Sequence, residues 1–450
     1  MFTIKEILFA TKGKLIKPVK DFSIRSFSTD SRSIKKNDAF IALKGDKFDG
    51  HLFIREALKK GASCIIVQSS AFSFQLPAKI PFIIVKDTAK ALGDLARFNR
   101  LKFNIPIIAV TGSNGKTTAK EMIACVLSGK FKVLKNEGTK NNHIGLPQAL
   151  CKLDASYQVG VLELGANHFG EIKYLAGILR PNIGLITNIG PSHLENFSSL
   201  SGVFKEKSSL MASLISPHIG VLNQDDAFLR KIPGREKLKP FIFGFGIDRK
   251  SDFTASDIRA SGDKISFLVK GNKFTLCNFA RHNIYNAMAA IAIGRIFGLS
   301  YRQISQRLAG FSSPKGRFNI FELSGATFID DTYNSNPFSF RAALEALENY
   351  KKSGRKIVVM GDMLELGADK ESFHRKALID AARVSDCIIT VGPLSKIAAE
   401  AAQKAGAGNI FTCFDPHQAR DVLFNQVYPR KNDVVLVKGS RSMRMEGVFI

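Results

Sequence analysis

Apolar and polar residues alternate in two rhythms along this 450-residue chain. Short β-branched runs, such as Ile105–Val110, "VGVLELG" (159–165), "IGLITNIG" (183–190) and "IGVLN" (219–223), have the make-up of buried strands. Between them lie stretches with apolar residues at helical spacing. Strand and helix alternate almost throughout, which predicts α/β layers. In a first unit, residues 1–85, "DAFIAL", "SCIIVQ" and "PFIIV" read as strands and "LFIREALKKGA" as helix. A helix "TAKALGDLARFNRLKF" (88–103) leads onward, and a Gly/Ser/Pro cluster, "GFSSPKGRF" (310–318), marks a second boundary. Beyond it "TFIDD", "KIVVMGD", "CIITVG" and "DVVLVKGS" are again apolar strands separated by helical stretches. The expected fold is α/β with three domains. These are a small α/β N-terminal domain (1–85), a central parallel-sheet P-loop ATPase-like domain (86–312) and a C-terminal doubly wound, Rossmann-like domain (313–450).

Composition narrows the class. At 45% hydrophobic residues the chain can build ordinary cores. No apolar run is long enough to span a bilayer, and the opening "MFTIKEILFATKGK" has no small-residue cleavage site. Six scattered cysteines without a Cys-x-x-Cys pair read as buried small hydrophobes in a reducing compartment, so a cytoplasmic location is expected. The net charge of +26 raises nucleic-acid binding. The basic residues are dispersed, however, and there is no Trp for a stacking platform, so an enzyme for a highly anionic substrate, or a generally basic proteome, explains the charge as well.

Several apolar runs end in polar, reactive residues: the loop after Val110, then Glu163, Asn188, Asp330–Asp331, Asp362 and Lys438. Ligands of open parallel sheets bind outside the carboxyl ends of the strands, so two such sheets facing each other would enclose one ligand. The loop itself, "AVTGSNGKTTAKEM" (109–122), predicts phosphate binding. Gly112 and Gly115, with Ser113 and Asn114 between them, allow a tight turn, several N–H groups at the helix start can point inward, Lys116 adds charge, and Thr117 and Thr118 offer hydroxyls. Only two residues separate Gly112 from Gly115–Lys116, against four in the standard pattern.

Other candidates stay open on spacing alone. Glu163 suits a magnesium ligand or a solvated edge acid. His193, with Glu195 close by, suits a metal or phosphate contact or a structural role. Lys207 reads as one of two lysines on a solvated helix face. Asn283 and Asn286 precede a buried Ala/Ile-rich helix, where "HN" is expected to act as the cap; amide recognition of an adenine edge is the alternative. Arg317 is a planar bidentate donor suited to a terminal phosphate. Asp331 suits ribose hydroxyls or, with Asp330, a helix N-terminus, and Asn334, Asn336 and Pro337 also fit an Asx turn.

Taken together, "TGSNGKTT", "KNNHIGLP", "LELGANHFGEI", "TNIGPSHLENF", "RHNIYNAMAA", "KGRF", "DDTYNSNP", "GDMLELG" and "VLVKGSRSMRME" give nearly the whole chain a resemblance to the Mur ligase family, ATP-dependent amide-forming enzymes of peptidoglycan synthesis. "DDTYNSNP", "GDMLELG" and "DSR…ALKGDKFDGHLF" narrow it further. The resemblance implies UDP-N-acetylmuramoyl-tripeptide and D-alanyl-D-alanine as partners, with ATP and Mg2+, in a cytoplasmic monomer with no nucleic-acid partner and no membrane insertion. It also implies roles. Lys116 meets the transferring phosphate. Thr117 and Glu163 hold a first magnesium, His193 helps hold a second, and Lys207 falls at a carbamylated lysine. Asn283 and Asn336 meet adenine, Arg317 the γ-phosphate and Asp331 the ribose. Thr29, Asp30, Ser31 and Arg32 lie near the uridine nucleotide, and Asn141 and Asn142 near the sugar-peptide or its diphosphate. One departure is Lys207-Ser208-Ser209, where the family usually has Lys-Gly-Glu. The rivals are a sibling that adds a diamino acid, folylpolyglutamate synthase, a regulatory nucleotide-binding protein and a nucleic-acid ATPase. The first usually carries Asp-Asn-Pro-Arg, which is missing here, and the second lacks the uridine-type first unit.

Overall fold

The computed structural model describes residues 1–16, 19–45, 48–69, 80–232, 240–350, 353–404, 406 and 408–449. Asp46 and Lys47, part of the motif "DSR…ALKGDKFDGHLF", lie outside the described residues.

Among the described residues three large sheets organise the chain, beside a two-stranded pairing of Phe2–Thr3 with Ser23–Ile24. The first has five strands: β1 (Lys14–Leu15), β2 (Ser26–Ser28), β3 (Asp38–Ile41), β4 (Cys64–Gln68) and β5 (Phe82–Val85). Their order is β1-β5-β4-β3-β2, parallel from β2 to β5, with β1 antiparallel at the edge. Helix α1 (Thr88–Leu101) then joins two cores. Asp87 caps it by accepting from the Lys90 N–H at 2.9 Å. Leu92 and Leu95 pack into the core of the first sheet, Ala96 into the next. Buried Asn99 donates to the carbonyls of Leu150 and Leu153, each at 2.9 Å, which fixes the helix to the following unit.

The second sheet has nine strands: β6 (Ile107–Thr111), β7 (Val133–Lys135), β8 (Val159–Glu163), β9 (Ile183–Ile186), β10 (Ile219–Asn223), β11 (Phe241–Gly246), β12 (Phe253–Ser261), β13 (Lys264–Val269) and β14 (Asn272–Leu276). The order is β14-β13-β12-β11-β10-β9-β6-β8-β7. Alternate residues of β6 face opposite cores, Ile108 and Val110 one, Ile107 and Ala109 the other. Helices cover both faces: α2 (Lys116–Leu127), α3 (Gly145–Leu150), α4 (Glu171–Leu179), α5 (Leu200–Ala212) and α6 (His282–Ile296). The parallel-sheet expectation needs correction at one edge. β12, β13 and β14 pair antiparallel, joined by the two-residue loops Gly262–Asp263 and Lys270–Gly271. Strand–helix alternation therefore breaks over 241–276, where short hairpin turns replace crossover helices.

The third sheet has six strands: β15 (Asn319–Leu323), β16 (Ala326–Asp331), β17 (Lys356–Gly361), β18 (Cys387–Val391), β19 (Ile410–Cys413) and β20 (Val434–Lys438). The order β15-β16-β20-β17-β18-β19 is parallel except for β15. Helices α7 (Pro337–Glu348) and α8 (Pro393–Lys404) pack on one face. The other face buries Ile357, Val359, Val435 and Val437 beneath Ala419 and Leu423. The cysteines are all free, and no helix among the described residues is long and apolar enough to cross a membrane.

Candidate active site

The carboxyl ends of the second and third sheets open onto one cleft of about 1090 Å³. In both sheets the strand order reverses there, beside β6 in one and β20 in the other, which is where open α/β sheets bind ligands.

The phosphate loop follows β6. Gly112 has φ +143, and a Cβ on it would lie 2.0 Å from Thr187 Oγ1; Gly115 has φ +77, and a Cβ there would lie 2.5 Å from Asn286 Oδ1. Only glycine serves at either position. The loop is tied down before any ligand arrives. Ser113 N–H donates to the Asn188 carbonyl and Asn114 N–H to Asn188 Oδ1, both at 2.9 Å, and Ser113 Oγ donates to the Gly190 carbonyl at 2.9 Å. Lys116 begins α2, and its ammonium donates back to the Gly112 carbonyl at 2.9 Å and the Ser113 carbonyl at 3.2 Å. Burial lowers its pKa, partly opposed by Glu163. Thr118 is buried at the rim of the same loop.

Glu163, at the end of β8, is 1% exposed, so the solvated-acid alternative is removed. Its Oε2 accepts from Thr117 Oγ1 at 2.8 Å and its Oε1 from Asn141 Nδ2 at 2.7 Å. Arg317 crosses from the start of the third unit. It stacks on the Tyr333 ring at 3.6 Å and comes within 3.3 Å of Thr117 Oγ1. Lys116, Arg317 and Glu163 thus surround the end of the phosphate loop with two positive charges and one negative.

Lys207 corrects a reading. The expected solvated lysine is 1% exposed, with its pKa pushed down to about 7 by burial and by Lys116. The exposed lysine of the pair is Lys205, whose ammonium sits over the Phe169 ring. Lys207 is not among the cleft-lining residues, although Lys116 and Glu163 lie close enough to act on its charge. At the departure position Ser209 Oγ donates to the Glu206 carbonyl at 2.6 Å. Glu206 itself accepts from the Gly170 and Ile172 N–H groups, each at 2.7 Å, at the start of α4.

Asn283 corrects another. It is the second residue of α6, whose N-terminus has no side-chain cap, so "HN" does not cap the helix. Its Oδ1 instead accepts from Asn286 at 2.9 Å, which leaves its buried Nδ2 without a partner among the described residues and at the cleft wall. Asn336 caps α7, accepting from the Ser339 N–H, so Asp330–Asp331 is not the helix start. The same side chain donates across the cleft to Asn114 Oδ1 at 2.7 Å. Asp331 accepts from Lys438 Nζ at 2.5 Å and from the Phe318 N–H at 3.1 Å. His193 lines the cleft, and its charged neighbour is Glu365 of the third unit, 2.6 Å away, not Glu195 as sequence proximity suggested.

The first sheet stands apart. Asn141 and Asn142 line the cleft, whereas Thr29, Asp30, Ser31 and Arg32 do not. Thr29 Oγ1 accepts from Gln148 on α3 at 2.7 Å, Ser31 donates to Glu56 at 2.9 Å, and Asp30 pairs with Arg32, which lowers its pKa to about 2.

Several supporting residues escaped sequence reasoning. Asn136, fully buried, grips the Glu163 backbone on both sides, donating to its carbonyl at 3.0 Å and accepting from its N–H at 2.9 Å. Lys120, also fully buried, holds the Asn136 and Gly138 carbonyls at 2.7 and 2.9 Å. Asp225 accepts from three successive N–H groups, Ile247 to Arg249, and from Tyr285 Oη. No spacing rule marks these positions; the buried lysine in "GKTTAKEM" was the one visible cue. Among the described residues no three His, Cys, Asp or Glu side chains gather as a ready-made metal site. One carboxylate and a hydroxyl do suit magnesium, which takes its remaining ligands from water and phosphate.

Family models match in three stretches: the Mur ligase family catalytic domain over residues 23–100, the Mur ligase middle domain over 110–294 and the Mur ligase glutamate ligase domain over 316–441. The chain is 33% identical to UDP-N-acetylmuramoyl-tripeptide–D-alanyl-D-alanine ligase of Bacillus subtilis, covering 99% of this chain and 97% of that one. A crystal structure of MurF from Acinetobacter baumannii superposes with TM-score 0.90 at 33% identity, covering 100% and 98%. MurF ligase from Thermotoga maritima, in complex with ADP, gives 0.82 at 30%, covering 94% and 96%.

Proposed function

This chain belongs to the Mur ligase family, and on that premise we propose that it joins D-alanyl-D-alanine to UDP-N-acetylmuramoyl-tripeptide with cleavage of ATP to ADP and phosphate. Residues 1–85 would bind the UDP-sugar, 86–312 the ATP, and 313–450 would close over both. Substrates that are water-soluble nucleotide-linked and peptide molecules support a cytoplasmic location. The observation that carries the reading is the convergence of Lys116, Thr117, Glu163 and Arg317 at the junction of two sheets.

The terminal carboxylate of the tripeptide attacks the γ-phosphorus of ATP, and the bond to the ADP oxygen breaks. A carboxylate would have to expel oxide, whereas the acyl phosphate expels phosphate. The amine of D-alanyl-D-alanine then attacks the acyl carbon, the carbon–oxygen bond to phosphate breaks, and the amine nitrogen gives up a proton. Lys116 and Arg317 stabilise charge on the transferring phosphoryl group, and the bonds to Asn188 and Gly190 hold the loop in place during the step. Asn283, with an uncommitted Nδ2, meets a ring nitrogen of adenine, while Asp331 accepts from the ribose. Thr117 and Glu163 would hold one magnesium ion and His193 and Lys207 a second. When bound, these ions offset the repulsion between carboxylate and phosphate. The Lys207 amine, with its pKa near 7, is substantially neutral at pH 7 and open to carbamylation, which would replace an ammonium by an anionic oxygen ligand.

The test is phosphate release from ATP and magnesium with UDP-N-acetylmuramoyl-tripeptide. Release should rise sharply when D-alanyl-D-alanine is added. Equal stimulation by a diamino acid or by a polynucleotide would overturn the assignment.

A further inference from the structure

One residue of "DDTYNSNP" has no task in the reaction above. Tyr333 lies two positions beyond the end of β16, in the loop that leads to α7. Its backbone N–H donates to the Gly316 carbonyl at 3.0 Å. Gly316 has φ +71, and a Cβ there would lie 3.2 Å from the Tyr333 nitrogen, so glycine permits this approach. Two residues on, the Phe318 N–H donates to Asp331 Oδ1 at 3.1 Å. The backbones of "KGRF" and "DDTYNSNP" are thus registered on both sides of Arg317. The side chains complete the register. The Arg317 guanidinium carbon lies 3.6 Å from the centre of the Tyr333 ring. At that distance an upright guanidinium would drive a nitrogen into the ring, so its plane lies flat against the aromatic face.

The hydrogen bonds of a guanidinium run in its own plane, so a partner on its face leaves every N–H free. Arg317 makes one side-chain hydrogen bond among the described residues, from Nη2 to Thr117 Oγ1 at 3.3 Å, and that bond points its edge at the phosphate loop. Tyr333 lines the same cleft. We propose that Tyr333 is a positioning residue: its ring is the platform that keeps the Arg317 guanidinium flat, with its N–H edge turned to the γ-phosphate. Without the platform a long side chain with many rotamers has to be ordered at each turnover. The inference rests on the ligase reading above, in which Arg317 meets the γ-phosphate. It adds that an aromatic face, and not the phenol hydroxyl, sets the geometry of that contact.

Phosphate release dependent on D-alanyl-D-alanine, measured in variants of the full-length enzyme, reads this directly. Tyr333→Leu keeps apolar bulk and loses the aromatic face. It should lower kcat roughly tenfold, with KM for ATP within about twofold of wild type. Tyr333→Met is a second non-aromatic variant, used where the thermal melt of Tyr333→Leu departs from that of wild type. Tyr333→Phe keeps the ring and should restore most of the lost rate. Because the ring acts through the arginine, the double variant Arg317→Ala with Tyr333→Leu should be no slower than Arg317→Ala alone; a merely structural defect would multiply with it. Equal losses in Tyr333→Phe and Tyr333→Leu, wild-type kcat in Tyr333→Leu, or multiplied losses in the double variant would overturn the proposal alone. Wild-type turnover in Arg317→Ala would remove the phosphate role of Arg317 and the proposal with it. A wild-type enzyme without release dependent on D-alanyl-D-alanine would instead overturn the ligase reading on which both stand.

Discussion

The two sheets that meet at the cleft are built on different terms. At the carboxyl ends of the second sheet the groups around the phosphate loop and Glu163 are engaged with neighbours from the same unit: Ser113 with Gly190, Thr117 with Glu163, Asn141 with Glu163, Asn136 with both faces of the Glu163 backbone. The third sheet contributes single side chains that reach across: Arg317 to Thr117, Asn336 to Asn114, Glu365 to His193. The first arrangement resists reorganisation while charge moves. In the proposed reaction the second would be made and broken as a unit, as the domains open to admit substrates and close to exclude the water that would hydrolyse an acyl phosphate.

If this division is right, variants on the two sides should fail differently. The largest effect belongs to Lys116→Ala, which removes charge at the reacting phosphate. Phosphate release should fall at least roughly 10³-fold while the thermal melt stays near that of wild type. Near-normal turnover in that variant would erase the distinction.

The junction itself carries a pH signature. His282 opens α6 beside Asp331 and Lys438, and burial depresses its pKa to about 4. The folded state therefore refuses a proton that the unfolded chain accepts near 6.5. Stability should be full above pH 6.5, decline as pH falls toward 4, and level off below, with a loss of roughly 3 kcal/mol. Urea midpoints for wild type and His282→Gln at pH 7 and pH 4.5 check this, the variant losing less. Arg317→Ala should cost turnover about 10²-fold with ATP affinity less affected, since its charge matters most as the phosphoryl group transfers. Smallest is Asn336→Ala, which removes one helix cap and one cross-cleft bond. About 1 kcal/mol of stability and a rise in KM without a matching fall in kcat are expected, from denaturant titration and steady-state kinetics.

What could be read from the sequence follows the same division. The α/β class, the phosphate loop and the strand ends were legible because they rest on local rules: β-branched runs, glycines before Lys-Thr, acids closing a strand. Helix α1 and strands β6, β8, β9, β16, β17, β18 and β20 fall where the pattern places them. The antiparallel edge of β12 to β14 was not read, although Lys270–Gly271 is a usable hairpin signal. Lys207 shows the harder limit. Its spacing matches that of the exposed Lys205, and only the packing of α5 against its neighbours decides which lysine is buried. The same holds for Glu365. Its partner lies 172 positions away in sequence, and the charge nearest to His193 along the chain, Glu195, is the wrong one. Long-range pairing between domains leaves no period in a single sequence.

One measurement reaches the chemistry itself. UDP-N-acetylmuramoyl-tripeptide carrying ¹⁸O in its terminal carboxylate is turned over with ATP and D-alanyl-D-alanine, and the released phosphate is analysed by mass. Attack of the carboxylate on the γ-phosphorus transfers one labelled oxygen to each phosphate. Unlabelled phosphate, formed alongside the amide product, would contradict an acyl phosphate built at the meeting of these two sheets.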